Sequence, residues 1–400
     1  MKNTPTGPLA GIRVLDLSAM ISGPFAAAML ADQGAEVIKV EPIKIGDIVR
    51  YMGSTRNGLG SMFHNANRGK RSIALDLKSP DALDIIYKLA TASDVVIQNF
   101  RVGVVERLKI DYQTLKKHND SIIYLSINGF GQHGPLAKKP AFDNILQAFA
   151  GVAYSQASDE EETNPDLIRQ LLADKLTAMN ASQSISAALF ARANGRGGQH
   201  IQLSMMDTIA HFLWMDLART SAFAEQDGVA PGLNLGKQTR LFKFKNGFAS
   251  ISPVTDDQFK AMFEVLGIEL DEGMSSMTKR NSKPAELEKL MQKVYAAIAT
   301  IDIDEGVASF DAVGIPATKA YNIKDLPSHP QAQANDTFHV TDHPIAGKII
   351  EPTYPPRYSA TPSQIGAPSP LVGEHTNDIL SELGYCTDAI QQLRDKEVVG

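Results

Sequence analysis

Residues 12–41 read IRVLDLSAMISGPFAAAMLADQGAEVIKVE, and this stretch decides the fold class. The run from Gly11 to Leu17 is short, apolar and uninterrupted, which is how a buried strand reads. Ser22-Gly23-Pro24 then marks a helix start, because proline is tolerated in a first turn, where its missing N–H has no helical partner. The helix carries AAAMLAD, and Gly34 offers a left-handed stop. Glu36 to Glu41 forms the second strand. Strand, helix and strand in this order predict a β-α-β unit and a parallel sheet.

The alternation continues outward from that unit. Arg71 to Leu77 reads as a strand, and Ser79-Pro80-Asp81 as the cap, first turn and dipole-matched acid of a helix ending near Ala92. Val95 to Ile97 and Ser121 to Ile127 give two more strands, the latter followed by the loop GFGQHGP and a helix from about Phe142 to Ala153. Asp159 to Glu162 reads as an exposed acidic loop. Leu172, Leu176, Met179, Ile185 and Leu189 sit at helical spacing with small residues between them, which suits a closely packed helix ending at Asn194-Gly195. Gln199 to Ser204 is the next strand, and Asp207 the expected cap of a helix reaching Phe223.

Beyond Gln226 the alternation weakens. A hairpin is expected around Asn246-Gly247, with helices over Asp257 to Leu266 and Pro284 to Thr300. The segment from Pro327 to Pro370 is proline-rich and weakly periodic, so it reads as a long surface tether, and two helices near Thr376 to Leu383 and Ala389 to Lys396 close the chain. The expected organisation is therefore residues 1–225 as the first part of a large domain, 226–326 as a small α+β domain, and 327–400 as a tether and the segment completing the large domain.

The 400 residues carry a net charge of -6, which disfavours nucleic acid and anionic membrane surfaces as partners, since those are held by summed positive charge. From Arg68 to Lys139, however, 12 lysines and arginines face 7 acids, a local excess of five. Arg68, Lys70, Arg71, Lys78, Arg101, Arg107, Lys138 and Lys139 fall near strand ends or the loops after them, where parallel sheets bind ligands. They read either as a site for a small polyanion or as a solvated basic face. Cys386 is the only cysteine, so no internal disulfide and no thiolate metal cluster is expected, and a reducing, cytoplasmic setting fits best. Met1 to Gly7 has no apolar stretch, and runs such as Phe25 to Ala31 are too short to span a bilayer.

The first turn reads SAMISGP and lacks G-x-G-x-x-G, which argues against NAD or FAD despite Glu41 at the end of the second strand. P-loop, zincin and nucleophile-elbow patterns are also missing. His133 in its glycine-rich loop reads as a surface residue. Asp174 on local sequence is a helix N-cap or first-turn acid.

Several segments in order resemble the class III coenzyme A-transferases: SGPFAAAMLADQGAEVIKVEP with Gly46-Asp47, NRGKRSIALDLK, DVVIQNFRVG, SINGFGQHGP with PAFDNILQAFAG, RANGRGGQHIQLSMMD, GIPA at Gly314 to Ala317, and GEHTNDILSELGY. Together they span nearly the whole chain. The resemblance implies an α/β protein with a Rossmann-like large domain, its parallel sheet built from both chain ends, a smaller domain, and two subunits interlocked as a homodimer. It implies that Asp174, in LLADKLTAM, is the catalytic carboxylate. Coenzyme A contacts carry over to Ile21, Ser22, Leu75, Lys78, Asn99, Phe100, Arg101, Arg107, Lys139, Ala141, Phe142 and Asp143.

Under that resemblance, CoA or acyl-CoA is a substrate, a free carboxylic acid, with dicarboxylates among the candidates, is the acceptor, and no metal takes part. The chemistry implied passes through an aspartyl anhydride and an aspartyl-CoA thioester. Val102 stands where the family often has proline, Ala178 where it often has glycine, and Pro42 where some members carry a basic residue that Lys44 would replace. The small domain lacks the glycine run of formyl-CoA transferases. Acyl-CoA racemases of the same superfamily place histidine before an aspartate where Ala141-Phe142-Asp143 stands here, and phenylalanine carries no proton, so transfer is favoured over racemisation. A non-catalytic acyl-CoA-binding protein is the remaining alternative. Arg240 and Lys243 are the candidates for a second carboxylate of the acid, against a reading as surface charges.

Overall fold

The computed structural model describes residues 6–157, 164–230, 240–363 and 365–400; the expected acidic loop at Asp159 to Glu162 lies outside them. Two compact units form, Met1–Met215 with Ala334–Gly400, and Asp216–Gln333.

In the first unit, six strands are built from Arg13–Asp16 (β1), Glu36–Glu41 (β2), Lys70–Ala74 (β3), Val95–Gln98 (β4), Ile123–Asn128 (β5) and Gln199–Ser204 (β6). Every pairing is parallel, and the order across the sheet is β3-β2-β1-β4-β5-β6. The order reverses between β1 and β4, and the carboxyl ends flanking such a switch point open the crevice where doubly wound sheets bind ligands.

Alternate residues along each strand point to opposite faces, and both faces are apolar, as a sheet covered on two sides requires. Val14, Val37, Ile97 and Leu125 face a core shared with helix α1 (Ser22–Asp32) and the long helix α4 (Leu172–Ala191). Leu15, Ile38, Ile73 and Tyr124 face a second core closed by α2 (Pro80–Thr91) and the two C-terminal helices, α9 (Thr376–Glu382) and α10 (Thr387–Asp395). Alanines 26, 27, 173, 178 and 181 are buried in the first core, and their small size lets α1 and α4 lie close together.

The C-terminal segment completes this unit with helices and one isolated bridge, Leu75 to Val399, and adds no strand to the six. The expectation of a sheet drawn from both ends is corrected accordingly. Within the segment 327–370, read from its prolines as a long surface tether, Phe338–His343 (β10) and Gly347–Pro352 (β11) pair as an antiparallel hairpin that the weak periodicity did not announce. The helix expected from Phe142 to Ala153 is two pieces, Asp143–Phe149 (α3) and Val152–Ser155, separated at Gly151, whose φ of 95° breaks the helix. Asp207 is not a cap. Helix α5 (Met205–Leu217) begins before it, and Ser204 Oγ accepts the Asp207 N–H at 3.2 Å.

In the second unit, Phe242–Phe244 (β7), Gly247–Ile251 (β8) and Ala317–Lys319 (β9) form an antiparallel sheet. Helices α6 (Asp256–Val265), α7 (Pro284–Ile298) and α8 (Ile303–Ala312) supply the rest of its core around Phe244, Phe263 and Phe310.

Candidate active site

Asp174 occupies the first turn of α4, three residues after an N-cap, Leu171, whose side chain accepts no hydrogen bond. A helix begun this way leaves its first N–H groups without partners. Asp143, the first residue of α3, fills the gap: its Oδ2 accepts the Asp174 N–H at 3.0 Å. Asp143 is buried and accepts from Gln147 Nε2 at 2.5 Å; that amide also donates to Gln170 O at 2.8 Å, while its Oε1 accepts from Ile168 N at 3.0 Å. Gln147 thus ties α3 to the strand of chain leading into α4. Sequence reasoning missed it, although an Asp and a Gln four residues apart share one helix face.

The Asp174 carboxyl in turn stands by the hydroxyl and the main-chain N–H of Ser22, the first residue of α1, which favour its ionised form. Asp143 therefore caps α4, and Asp174, standing on α4, faces the start of α1. Burial pushes the Asp174 carboxyl up to about 6, and the neighbouring Asp143 charge adds to the rise, while the Ser22 donors pull against it. The result is a carboxylate that is ionised at neutral pH yet poorly solvated, aimed at a helix N-terminus where developing negative charge is favoured.

Ser22 reaches this position through a tight turn after β1. Gly23 fits because a Cβ there would lie 2.4 Å from Ser18 Cβ. Asn99, one residue after β4, clasps the same turn from the other side of the switch point, accepting from Ala19 N at 2.9 Å and donating to Ala19 O at 2.7 Å. Phe100 N donates to Gln98 Oε1 at 2.8 Å, and Gln98 Nε2 donates to Ser126 Oγ at 2.8 Å, which anchors the Asn99–Arg101 loop on β5. Ser22 is thereby brought to Asp174 and Asp143, and Asn99 to the turn that carries it, while Ile21 packs with Val49 and Phe63, and Phe100 against the second core.

The remaining candidates lie around this crevice. Arg101 and Arg107 are exposed, the latter at the end of the short helix Val104–Arg107, and neither has an ion-pair partner among the described residues. Lys139 stands with its ammonium 5.7 Å from the Phe130 ring centroid, and Ala141 packs against Gly129, where a Cβ would come within 2.5 Å of it. Phe142 is 59% exposed. Leu75 and Lys78 follow β3, two strands from β1 and so roughly 10 Å from the switch point. The Leu75 side chain is buried in the second core, while Lys78 is exposed.

Three of the basic residues grouped by sequence as candidate polyanion ligands are engaged elsewhere. Arg68 is buried against Asp32 at 2.5 Å, Lys70 against Asp16 at 2.8 Å, and Arg71 is held by Glu36 and Glu382. These pairings remove them from any phosphate site. Lys44 pairs with Glu397 at 2.6 Å on the surface, and His133 is exposed. In the second unit Arg240 stacks over the Tyr295 ring at 5.5 Å, and Lys243 is exposed.

A doubly wound sheet thus carries a partly desolvated carboxylate, Asp174, beside its switch point. The family described as CoA-transferase family III matches residues 9–376, and the chain belongs to it. It is 32% identical to the succinyl-CoA:glutarate CoA-transferase of Mus musculus, over 96% of this chain and 89% of that protein. It is 30% identical to the succinate–glutarate CoA-transferase of Agrobacterium fabrum, over 94% and 96%. A CAIB/BAIF family protein from Brucella suis superposes with a TM-score of 0.80 at 29% identity, covering 94% of this chain and 100% of that one. The chain is a CoA-transferase, acting between acyl-CoA thioesters and carboxylic acids. Among the described residues no helix is long and apolar enough to cross a membrane.

Proposed function

We propose that the protein transfers CoA between dicarboxylic acids, with Asp174 as a covalent nucleophile. The observation that carries this reading is the Asp174 carboxyl, raised by burial and by Asp143 and facing the N-terminus of α1. Its oxygen attacks the thioester carbonyl, the carbon–sulfur bond breaks, and CoA leaves as the thiolate, giving an aspartyl anhydride. The thiolate attacks the Asp174 carbonyl and releases the first acid as its carboxylate. The acceptor carboxylate then attacks the aspartyl-CoA thioester and frees the thiolate again. A last attack of that thiolate on the acceptor's acyl carbon forms the new acyl-CoA and returns Asp174 as a carboxylate. Negative charge gathers on the Asp174 carbonyl oxygen during the second and third attacks, where the Ser22 N–H and hydroxyl stand.

Ile21, Ser22, Asn99, Phe100, Ala141 and Phe142 line the thioester end in this reading, and Arg101, Arg107, Lys78 and Lys139 meet the CoA phosphates. All four cations are exposed, which supports that role, since charge-assisted pairing with phosphate would engage them. The names of the mouse and Agrobacterium relatives support succinate and glutarate as the acid class. An interlocked homodimer fits the apolar surface left on α4 and α5, where Phe190, Phe212, Trp214 and Met215 are all more than half exposed.

The test is CoA exchange from succinyl-CoA to a panel of mono- and dicarboxylic acids, followed by mass spectrometry in deuterated water. Acyl-CoA products of the dicarboxylates without deuterium uptake, lost in Asp174→Asn, support the reading. Deuterium entering the carbon next to the thioester without exchange of acids points instead to racemase chemistry.

A further inference from the structure

The turn that delivers Ser22 to Asp174 contains a conformational anomaly. Met20 stands at φ 68°, in the left-handed region that a side chain with a Cβ enters only against steric cost. Methionine has no short polar group to offset that cost locally. What holds it is Asp47, whose Oδ1 and Oδ2 accept the Met20 N–H at 3.1 and 3.2 Å. Asp47 pairs with Lys39 at 3.0 Å, and the Lys39 ammonium also donates to Ser18 O at 2.9 Å. Lys39 and Asp47 are both buried, so a single ion pair grips the turn at Ser18 and at Met20. Burial opposes the charge on Lys39, but Asp16, Asp47 and Glu41 outweigh it and hold its pKa above the ordinary lysine value. The pair is further fixed by Glu41, which accepts the Asp47 N–H at 2.9 Å.

A buried pair of this kind is weak evidence for stability, and what it visibly fixes here is the geometry of the turn. The geometry enforced here ends two residues later at the donors facing the reacting carboxyl. We propose that Asp47, oriented by Lys39, is a positioning residue for CoA transfer: it holds Met20 in the left-handed conformation that points the Ser22 N–H and hydroxyl at Asp174. This rests on the reading of Asp174 as the nucleophile.

Two variants test it without sharing a weakness. Asp47→Asn keeps an acceptor but removes the charge, and Met20→Val raises the cost of the left-handed turn without touching the buried ions. Both lower kcat at least about tenfold with KM for the acyl-CoA changed less than about threefold, because a donor that acts on the transition state is displaced while the CoA grip remains. Adding Met20→Gly to the Asp47→Asn protein restores most of kcat, since glycine adopts positive φ freely. Asp32→Asn breaks a comparable buried pair with Arg68 at the far end of α1, and it lowers Tm while leaving kcat intact.

Wild-type kcat in Met20→Val, a loss in Asp47→Asn no greater than in Asp32→Asn, or failure of the glycine to rescue overturns the proposal. Asp174→Asn is run beside them. If it retains turnover, the nucleophile reading fails and this inference falls with it. If it is dead while the turn variants are fully active, only the positioning role is lost.

Discussion

Asp174→Asn should make the protein more stable at neutral pH while abolishing transfer. The carboxyl is pushed up to about 6 in the fold from the ordinary 3.8, so the native state disfavours its ionised form. Between those two values the folded chain binds the proton more tightly than the unfolded chain, and stability falls as pH rises. The gap is about two pH units at about 1.4 kcal/mol each, a ceiling near 3 kcal/mol, which solvent reaching the half-buried carboxyl lowers to about 2 kcal/mol. Asparagine keeps an oxygen that accepts from Ser22 and carries no charge, so it escapes this penalty. Urea unfolding of both proteins at pH 7.5 and pH 4 provides the measurement. The variant gains about 2 kcal/mol at pH 7.5 and little at pH 4, where the wild-type carboxyl is protonated in the fold. A variant that is destabilised at pH 7.5, or whose gain is the same at both values, refutes the reasoning.

The same carboxyl sets an acid limb in the pH profile of kcat/KM near 6, and Asp143→Asn moves that limb to lower pH by removing a like charge, with burial keeping it above 3.8; a limb that stays put or rises contradicts the assignment. Arg101→Ala combined with Arg107→Ala raises KM for acyl-CoA about tenfold or more with kcat little changed, and the defect narrows at high salt, because exposed charges act through a screened field. Lys70→Met leaves the buried Asp16 carboxylate with the Ser18 donors and, as its one cationic neighbour among the described residues, Lys39 at 4.0 Å, and costs about 3–5 kcal/mol in unfolding free energy with no change in KM.

The β-α-β units were legible because each strand is a short apolar run and each helix is bounded by proline or glycine with a definite backbone role, as at Pro24, Gly34 and Pro80. The hairpin Phe338–Pro352 was not legible. Its strands are half-exposed or exposed except at His343 and Glu351, which are polar, so neither a continuous apolar run nor a clean alternation announces them. The site divides in the same way. Asp174 read locally as a first-turn acid, which it is; what separates it from other such acids is Asp143, 31 residues earlier, and Ser22 on another helix. The basic cluster misled at Arg68, Lys70 and Arg71 for a related reason. Their partners Asp32, Asp16 and Glu382 lie 36, 54 and 311 residues away, and local charge counting carries no information about such pairings. The Lys39–Asp47 pair escaped notice because a lysine inside EVIKVE breaks no pattern once its neighbours are apolar.

Asp174 is acylated during turnover in the proposed mechanism. Incubation with succinyl-CoA, quenching into hydroxylamine, and peptide mapping by mass spectrometry test it directly. The account predicts a hydroxamate on the peptide carrying Asp174, formed only when the acyl-CoA is present and missing from Asp174→Asn. Turnover by the wild-type protein without any adduct at Asp174, or an adduct on a different carboxylate, contradicts it.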